Sequence, residues 1–186
     1  MTRDLAGYGR NPPKVRWPED ARLALSLVLN YEEGAELSVA DGDPENERLG
    51  EFVAPRMEKG TRDLGIESTF EYGSRVGAWR VLRILEDFGV RGTIYACGRA
   101  VERNREIARA FTAAGHEMAG HGYLWVNHFD MEPDHEREQI RKAVQAIEEA
   151  SGERPVGWYS RYAPSPNTRA LLVEEGGFLY DSDSYA

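Results

Sequence analysis

About four times between Leu23 and Tyr180, a short apolar run gives way to a stretch whose apolar residues recur at helical spacing; no other feature constrains the fold as tightly. Ala21 to Tyr31 is apolar at nearly every position from Leu23 to Leu29, the pattern of a parallel strand covered on both faces. From Ser74, the residues Ala78, Val81, Leu82, Leu85 and Phe88 share one helical face, and Gly89 stands where a C-terminal cap belongs. Residues 92–97 read as the next strand. A helix capped by Asn104 follows, with Ile107, Ala108 and Phe111 inward and a stop at Gly115, where His116 would meet the negative end of the helix dipole. His116 to Gly120 is a third strand, and Pro133 to Ala150 a third helix built on Ile140, Ala143, Val144 and Ile147. Val156 to Ser160 is a fourth strand, Pro166 opens a helix through Leu171 and Leu172 to Gly176, and Phe178 to Tyr180 begins a fifth strand.

Such alternation predicts an α/β fold with parallel strands, either a barrel or an open doubly wound sheet. Pro12, Pro13 and Pro18 make the segment before the first strand, roughly residues 1–20, an extended arm. Residues 33–65 show no period and are read as a lid or an oligomer contact. The 186 residues are expected to form one domain, and a barrel would be incomplete because the chain ends just after the fifth strand begins.

Parallel α/β folds place their sites at the carboxyl ends of the strands. Glu32 and Glu33 end the first strand, His121 the third and Arg161 the fourth. Adjacent carboxylates suit acid–base chemistry when burial or mutual repulsion raises one pKa, though two acids after a strand also describe a solvated turn. On an unbroken strand they would point to opposite faces. His121 lies between Gly120 and Gly122, and reads as a site residue or a satisfied structural histidine. Arg161 could orient an acid or hold a carbonyl bidentately, the bland alternative being a surface ion pair. Residues 67–75 are rich in groups able to contact a polar ligand, with Ser74 as a cap. His116, Glu117 and His121 are spaced one residue too far for a zinc-binding H-E-x-x-H helix, and Cys97 reads as a small packed hydrophobe.

Composition narrows the chemistry. A formal charge of −9, from 32 acidic and 23 basic residues, disfavours a phosphate backbone, so no nucleic acid is expected as a partner. Neither nucleotide-binding glycine fingerprint is present. No apolar run approaches a membrane span, so no membrane partner is expected. The start of the chain lacks the apolar core of a secretion signal and the single cysteine cannot form an internal disulfide, so a cytoplasmic location is expected.

These residues in this order resemble the polysaccharide deacetylase (NodB homology) superfamily, and within it the cofactor-independent allantoinase branch. The superfamily motif T-F-D-D-G is matched by Asn30-Tyr31-Glu32-Glu33-Gly34, and its G-H-E-[IV]-x-[NS]-H-[ST]-x-x-H motif by residues 115–125. The branch is similar at N-Y-E-E-G-A-E, E-Y-G-S-R-x-G, S-P-N-T-R and G-G-F-L-Y-D-S-D, residues 30–36, 71–77, 165–169 and 176–183. The resemblance implies a distorted (β/α) barrel of the NodB type, here a single partial domain over residues 1–186. It puts Glu32 at the catalytic base, Glu33 and His121 at metal ligands, and Arg161 at an arginine that orients the base. Trp125 stands where the second ligand histidine belongs. A zinc or other divalent ion wants three protein ligands and an open position, so weak or no metal binding is expected, with His128 the one conceivable substitute.

The leading expectation is therefore hydrolysis of a non-peptide C–N bond, in allantoin or a similar cyclic ureide, by carboxylate-driven attack of water. In it Glu32 takes the water proton, His121 or Arg161 stabilises the oxyanion, and Tyr72, Arg75 and Trp125 shape the seat for a small polar ring. No cofactor is expected, and a homo-oligomer is compatible with the long 33–65 segment. The alternatives are a metal-dependent deacetylase of N-acetylated sugars and a non-catalytic binding or assembly module.

Overall fold

The apolar runs pair as strands in chain order in a computed structural model that describes residues 5–50 and 55–184. The strands are β1 (Val28–Tyr31), β2 (Thr93–Ala96), β3 (Glu117–Gly120), β4 (Gly157–Trp158) and β5 (Tyr180–Asp181). All four pairings are parallel, and the order is β1-β2-β3-β4-β5. A doubly wound sheet reverses its order at a switch point and carries helices on both faces; this one never reverses, so its right-handed crossovers stack helices on one face, as in a barrel wall.

Side-chain alternation follows. Ile94, Ala96, Met118 and Trp158 are buried on the helix side. On the other face Thr93 and Tyr180 both donate to the carboxylate of Glu117, and Tyr95 donates to Ser182 at 2.9 Å. Gly120 is required between β3 and β4, because a Cβ there would lie 2.5 Å from the Trp158 ring.

The helices are α1 (Leu64–Tyr72), α2 (Ala78–Asp87), α3 (Gly98–Arg103), α4 (Arg105–Ala113), α5 (Pro133–Ser151) and α6 (Thr168–Glu175). The first begins ten residues before the expected Ser74: Asp63 caps it by accepting from Gly65 and Ile66, and a π-helical turn, Gly73–Gly77, joins it to α2. Helix α3 escaped the sequence reading because six residues are too few to show a period. Asn104 caps α4 as expected, accepting from the Ile107 N–H at 3.3 Å. Ile107, Ala108, Phe111, Ile147 and Ala150 then form the core with Ile94 and Met118.

Several expectations fail at the periphery. The strand predicted over Ala21 to Tyr31 is regular only from Val28, and Leu23 and Leu25 are 76% and 79% exposed rather than covered. Among the described residues β1 is an edge strand, with pairing only to β2. Phe88 is 78% exposed because it is the C-cap of α2, one step beyond the packed face. His116 does not act as a cation on a helix end. Its buried Nδ1 accepts the Gly92 N–H at 3.0 Å, and desolvation holds its pKa below the ordinary imidazole value.

Residues 5–20 are exposed and extended except for a turn near residues 7–10 and a 3-10 turn at Pro18–Asp20; residues 1–4 of the predicted arm lie outside the described residues. The same holds for residues 51–54 of the unassigned 33–65 segment and for Tyr185 and Ala186. The rest of that segment is anchored, with Ala35, Glu36, Ser38, Asn46 and Glu47 buried and a 3-10 turn at Val39–Asp41. No helix among the described residues is long and apolar enough to cross a membrane.

Candidate active site

At the carboxyl ends of β1, β3 and β4 lies a cavity of about 560 Å³. Leu29, Leu49, Phe70, Ala78 and Val81 contribute apolar lining, and Glu32, Glu33, His121, Tyr159 and Arg161 the polar and charged groups. The strand breaks after Tyr31 into a turn at Glu33 and Gly34, which is why both glutamates reach one cavity instead of opposite faces.

Glu32 and His121 form its centre. Oε1 of Glu32 lies 3.0 Å from Nε2 of His121 and also accepts from Asn30 at 3.1 Å. Nδ1 of the same imidazole is 2.5 Å from the Tyr159 carbonyl oxygen, which can only accept, so Nδ1 carries a proton. Nε2 therefore faces Glu32 as imidazolium against carboxylate, or as neutral imidazole against carboxylic acid, and one proton is held between them. Tyr159 also stacks on the imidazole, with centroids 5.3 Å apart and planes 8° from parallel.

Glu33 is bound differently. Its Oε2 accepts the Glu32 N–H at 3.0 Å, and its carboxylate lies on Gly73, where a Cβ would come within 2.3 Å of Oε1. Burial pushes its pKa up to about 6, with backbone hydrogen bonds opposing the rise and Glu32 and Glu36 adding to it. The π-helical turn supplies that glycine, and π-turns recur where a helix is reshaped around a site. Next to it, Ser74 shares a 2.9 Å hydrogen bond with the Tyr31 hydroxyl and accepts from Asn104 at 3.2 Å, rather than capping a helix. Desolvation pushes the Tyr31 phenol up to about 12, so it stays neutral.

Arg161 does orient an acid, but not one of the strand-end pair. Its Nη1 donates to Glu47 at 2.7 Å and to the Trp125 carbonyl, and its guanidinium carbon lies 3.8 Å from the centroid of the Trp125 indole. The sequence reading missed Glu47 because it sits in a segment without period; its signal, a lone acid in a long polar loop, is shared with many solvated residues. Tyr72 and Trp125 line the cavity. Arg75 is not among the lining residues; its side chain is 77% exposed and pairs with Glu71 at 3.7 Å. Cys97 is buried and its thiol donates to the His121 carbonyl at 3.3 Å; desolvation, reinforced by Glu32 and Glu33, raises its pKa well above the ordinary thiol value.

The donor set does not suit a zinc-type ion. Trp125, at the second ligand position of the matched motif, has no lone pair to give, and Nε2 of His121, the one ring nitrogen not donated to the Tyr159 carbonyl, is turned to Glu32. His128 does not line the cavity: it is buried behind Gly122, with Nδ1 3.4 Å from Glu136 and its ring packed at 62° to that of Trp158. Among the described residues no group of three or more His, Cys, Asp or Glu is placed to hold a metal.

A parallel barrel-type wall with carboxylate and imidazole gathered at its strand ends places the candidate site where (β/α)-barrel domains carry theirs. The chain belongs to the polysaccharide deacetylase family, whose model matches residues 58–179, and it is a hydrolase-family member with a partial NodB-type (β/α)-barrel fold. A Schizosaccharomyces pombe protein named as a polysaccharide deacetylase is 39% identical over 99% of this chain and 60% of its own length. The crystal structure of PuuE allantoinase matches with a TM-score of 0.90 and 48% identity, over 100% of this chain and 61% of that one. A Pseudomonas aeruginosa PAO1 structure, titled as a polysaccharide deacetylase, matches with a TM-score of 0.91 and 50% identity, over 100% and 62%. The chain thus spans about three-fifths of the length of these relatives.

Proposed function

We propose that the site hydrolyses the cyclic amide of allantoin or a closely similar ureide, without a metal. The observation that carries this reading is the Glu32–His121 couple, which holds one transferable proton beside an apolar cavity wall. The likeness to PuuE allantoinase supports the substrate class.

In the charge-separated form of the couple, Glu32 takes a proton from water as the oxygen attacks the ring carbonyl, and the imidazolium of His121 faces the developing oxyanion. Collapse of the tetrahedral species breaks the C–N bond, and His121 gives its Nε2 proton to the departing nitrogen. Protonated Glu32 then returns its proton to His121 across their 3.0 Å contact, which restores the ion pair. The product carries a new carboxyl group and a freed ureide nitrogen. Tyr159 keeps the imidazole in its working orientation throughout. Phe70, Tyr72 and Trp125 flank the ring seat.

Glu32→Gln keeps shape but removes the base, and the expected result is loss of ureide turnover by a factor on the order of 10²–10⁴ with an unchanged circular dichroism spectrum. Undiminished turnover in a folded variant overturns the reading. A second reading, deacetylation of an N-acetylated sugar, is favoured by the family match itself. It predicts acetate release from acetylated sugars that depends on added divalent metal, and assay of both substrate classes with and without chelator separates the two.

A further inference from the structure

Behind the Arg161 side of the active-site cavity lies a second cavity of about 370 Å³, lined by Leu37, Glu45, Arg48, Val126, Asn127 and Asp130 among others. Arg161 is the single residue that lines both. Its guanidinium is covered on one side by the Trp125 indole and fixed by Glu47, with the Trp125 carbonyl as the other acceptor. Glu47 is itself buried and tightly held: Oε1 accepts the N–H groups of Arg48 and Leu49 at 2.8 and 2.9 Å, leaving Oε2 for Arg161. Leu49 and Gly50, just beyond, form part of the active-site wall.

We propose that Glu47 is a positioning residue which, by holding Arg161 flat on Trp125, makes the arginine a partition between the reaction cavity and the outer, acid-lined cavity. A planar guanidinium keeps this position only while its hydrogen bonds fix its rotation, and a charged acceptor fixes it more firmly than a neutral one. The same carboxylate ties the 35–49 segment to the strand-end residues, so the wall and the partition stand or fall together. With the partition in place the cavity wall made by Trp125 and Phe70, whose rings meet edge to face with centroids 6.0 Å apart, is closed on that side. Without it the two cavities merge and the bound ring loses its packing surface, while Glu32 and His121, held by each other, by Asn30 and by the Tyr159 carbonyl, keep their geometry.

The partition is independent of the substrate, but its kinetic consequence rests on the ureide reading, so the test has two arms. Glu47→Gln is compared with wild type and with Glu45→Gln, which removes a charge from the same segment without contacting Arg161. Hydrogen exchange is expected to accelerate about tenfold or more at residues 35–49 and 125–128, the scale of a lost charged hydrogen bond, and to stay unchanged in β2 and β3. In the kinetic arm, KM for the ureide is expected to rise by a similar factor with kcat nearly unchanged. Exchange in those segments identical to wild type, acceleration spread evenly over the sheet, or equal changes from Glu45→Gln overturn the partition. So does a fall in kcat with KM unchanged. If no ureide is turned over by the wild type, the functional reading fails and the exchange arm alone decides this one.

Discussion

Glu33 carries an electrostatic strain that the neighbouring couple does not relieve. Its carboxyl titrates at about 6 instead of 4.5, so its neutral form is the one the fold favours. A folded-state pKa above the unfolded value means the native state binds the proton more tightly. Glu33 therefore contributes its full stability below about pH 4.5, and loses it as pH rises through about 6. Glu33→Gln is expected to leave stability unchanged at pH 4 and to raise it by about 2 kcal/mol at pH 7.5, from about 1.4 kcal/mol per unit of pKa shift. Urea denaturation at the two pH values checks this; equal midpoints for both proteins at pH 7.5 would refute it. The glutamine oxygen can still accept the Glu32 N–H, so the loop conformation is preserved.

Among the elements, α5 does more than cover the sheet. Its Glu136 is fully buried and accepts from Ser165 at 2.5 Å, from Thr168, and from His128. Ser165 and Thr168 cap one another reciprocally: the Ser165 oxygen accepts from the Asn167 and Thr168 N–H groups at 2.9 and 3.2 Å, and Thr168 accepts from Ser165 N–H at 2.8 Å. The S-P-N-T stretch is thus a helix-capping device docked on a buried carboxylate. It fixes the loop carrying Arg161 to the helix that follows the loop carrying His121. Although burial opposes it, the three donors hold the Glu136 carboxyl below the ordinary range. Glu136→Ala would strand all three in the interior, and is expected to cost about 3–5 kcal/mol in urea denaturation. Asp134→Ala, at a fully solvated side chain two residues earlier, is expected to change stability by less than about 0.5 kcal/mol.

For the whole molecule, the departure from a three-ligand metal centre is the consequential feature. Trp125 replaces a ligand with a surface, and Arg161 occupies that surface instead of the strand-end acids. Ureide turnover is expected to survive dialysis against a strong chelator, and added zinc is expected not to raise it. Activity lost on chelation and restored by zinc would require a ligand set other than the one these residues form.

The sequence by itself determined the parallel α/β class, the limits of α4 and α5, and the placing of Glu32, Glu33 and His121 at strand ends; that both glutamates reach one cavity depended on the strand break after Tyr31. Those features rest on hydrophobic period, capping residues and position at strand ends, all of which are local. Periodicity alone could not choose between a barrel and a doubly wound sheet, because both have the same alternation and differ only in the order in which strands pair; the family motifs pointed to the barrel, as the strand order bears out. The sequence reading also placed Arg75 in the site and overlooked Glu47, since a side chain's partner over a separation of 114 residues leaves no periodic trace. Tertiary structure decided that Arg161 faces Trp125 and Glu47, that Glu33 curls back onto Gly73, and that His121 lies between Glu32 and the Tyr159 carbonyl. Each of these follows from the packing of segments distant in the chain, where burial and hydrogen-bond geometry select one partner among many of equal local merit.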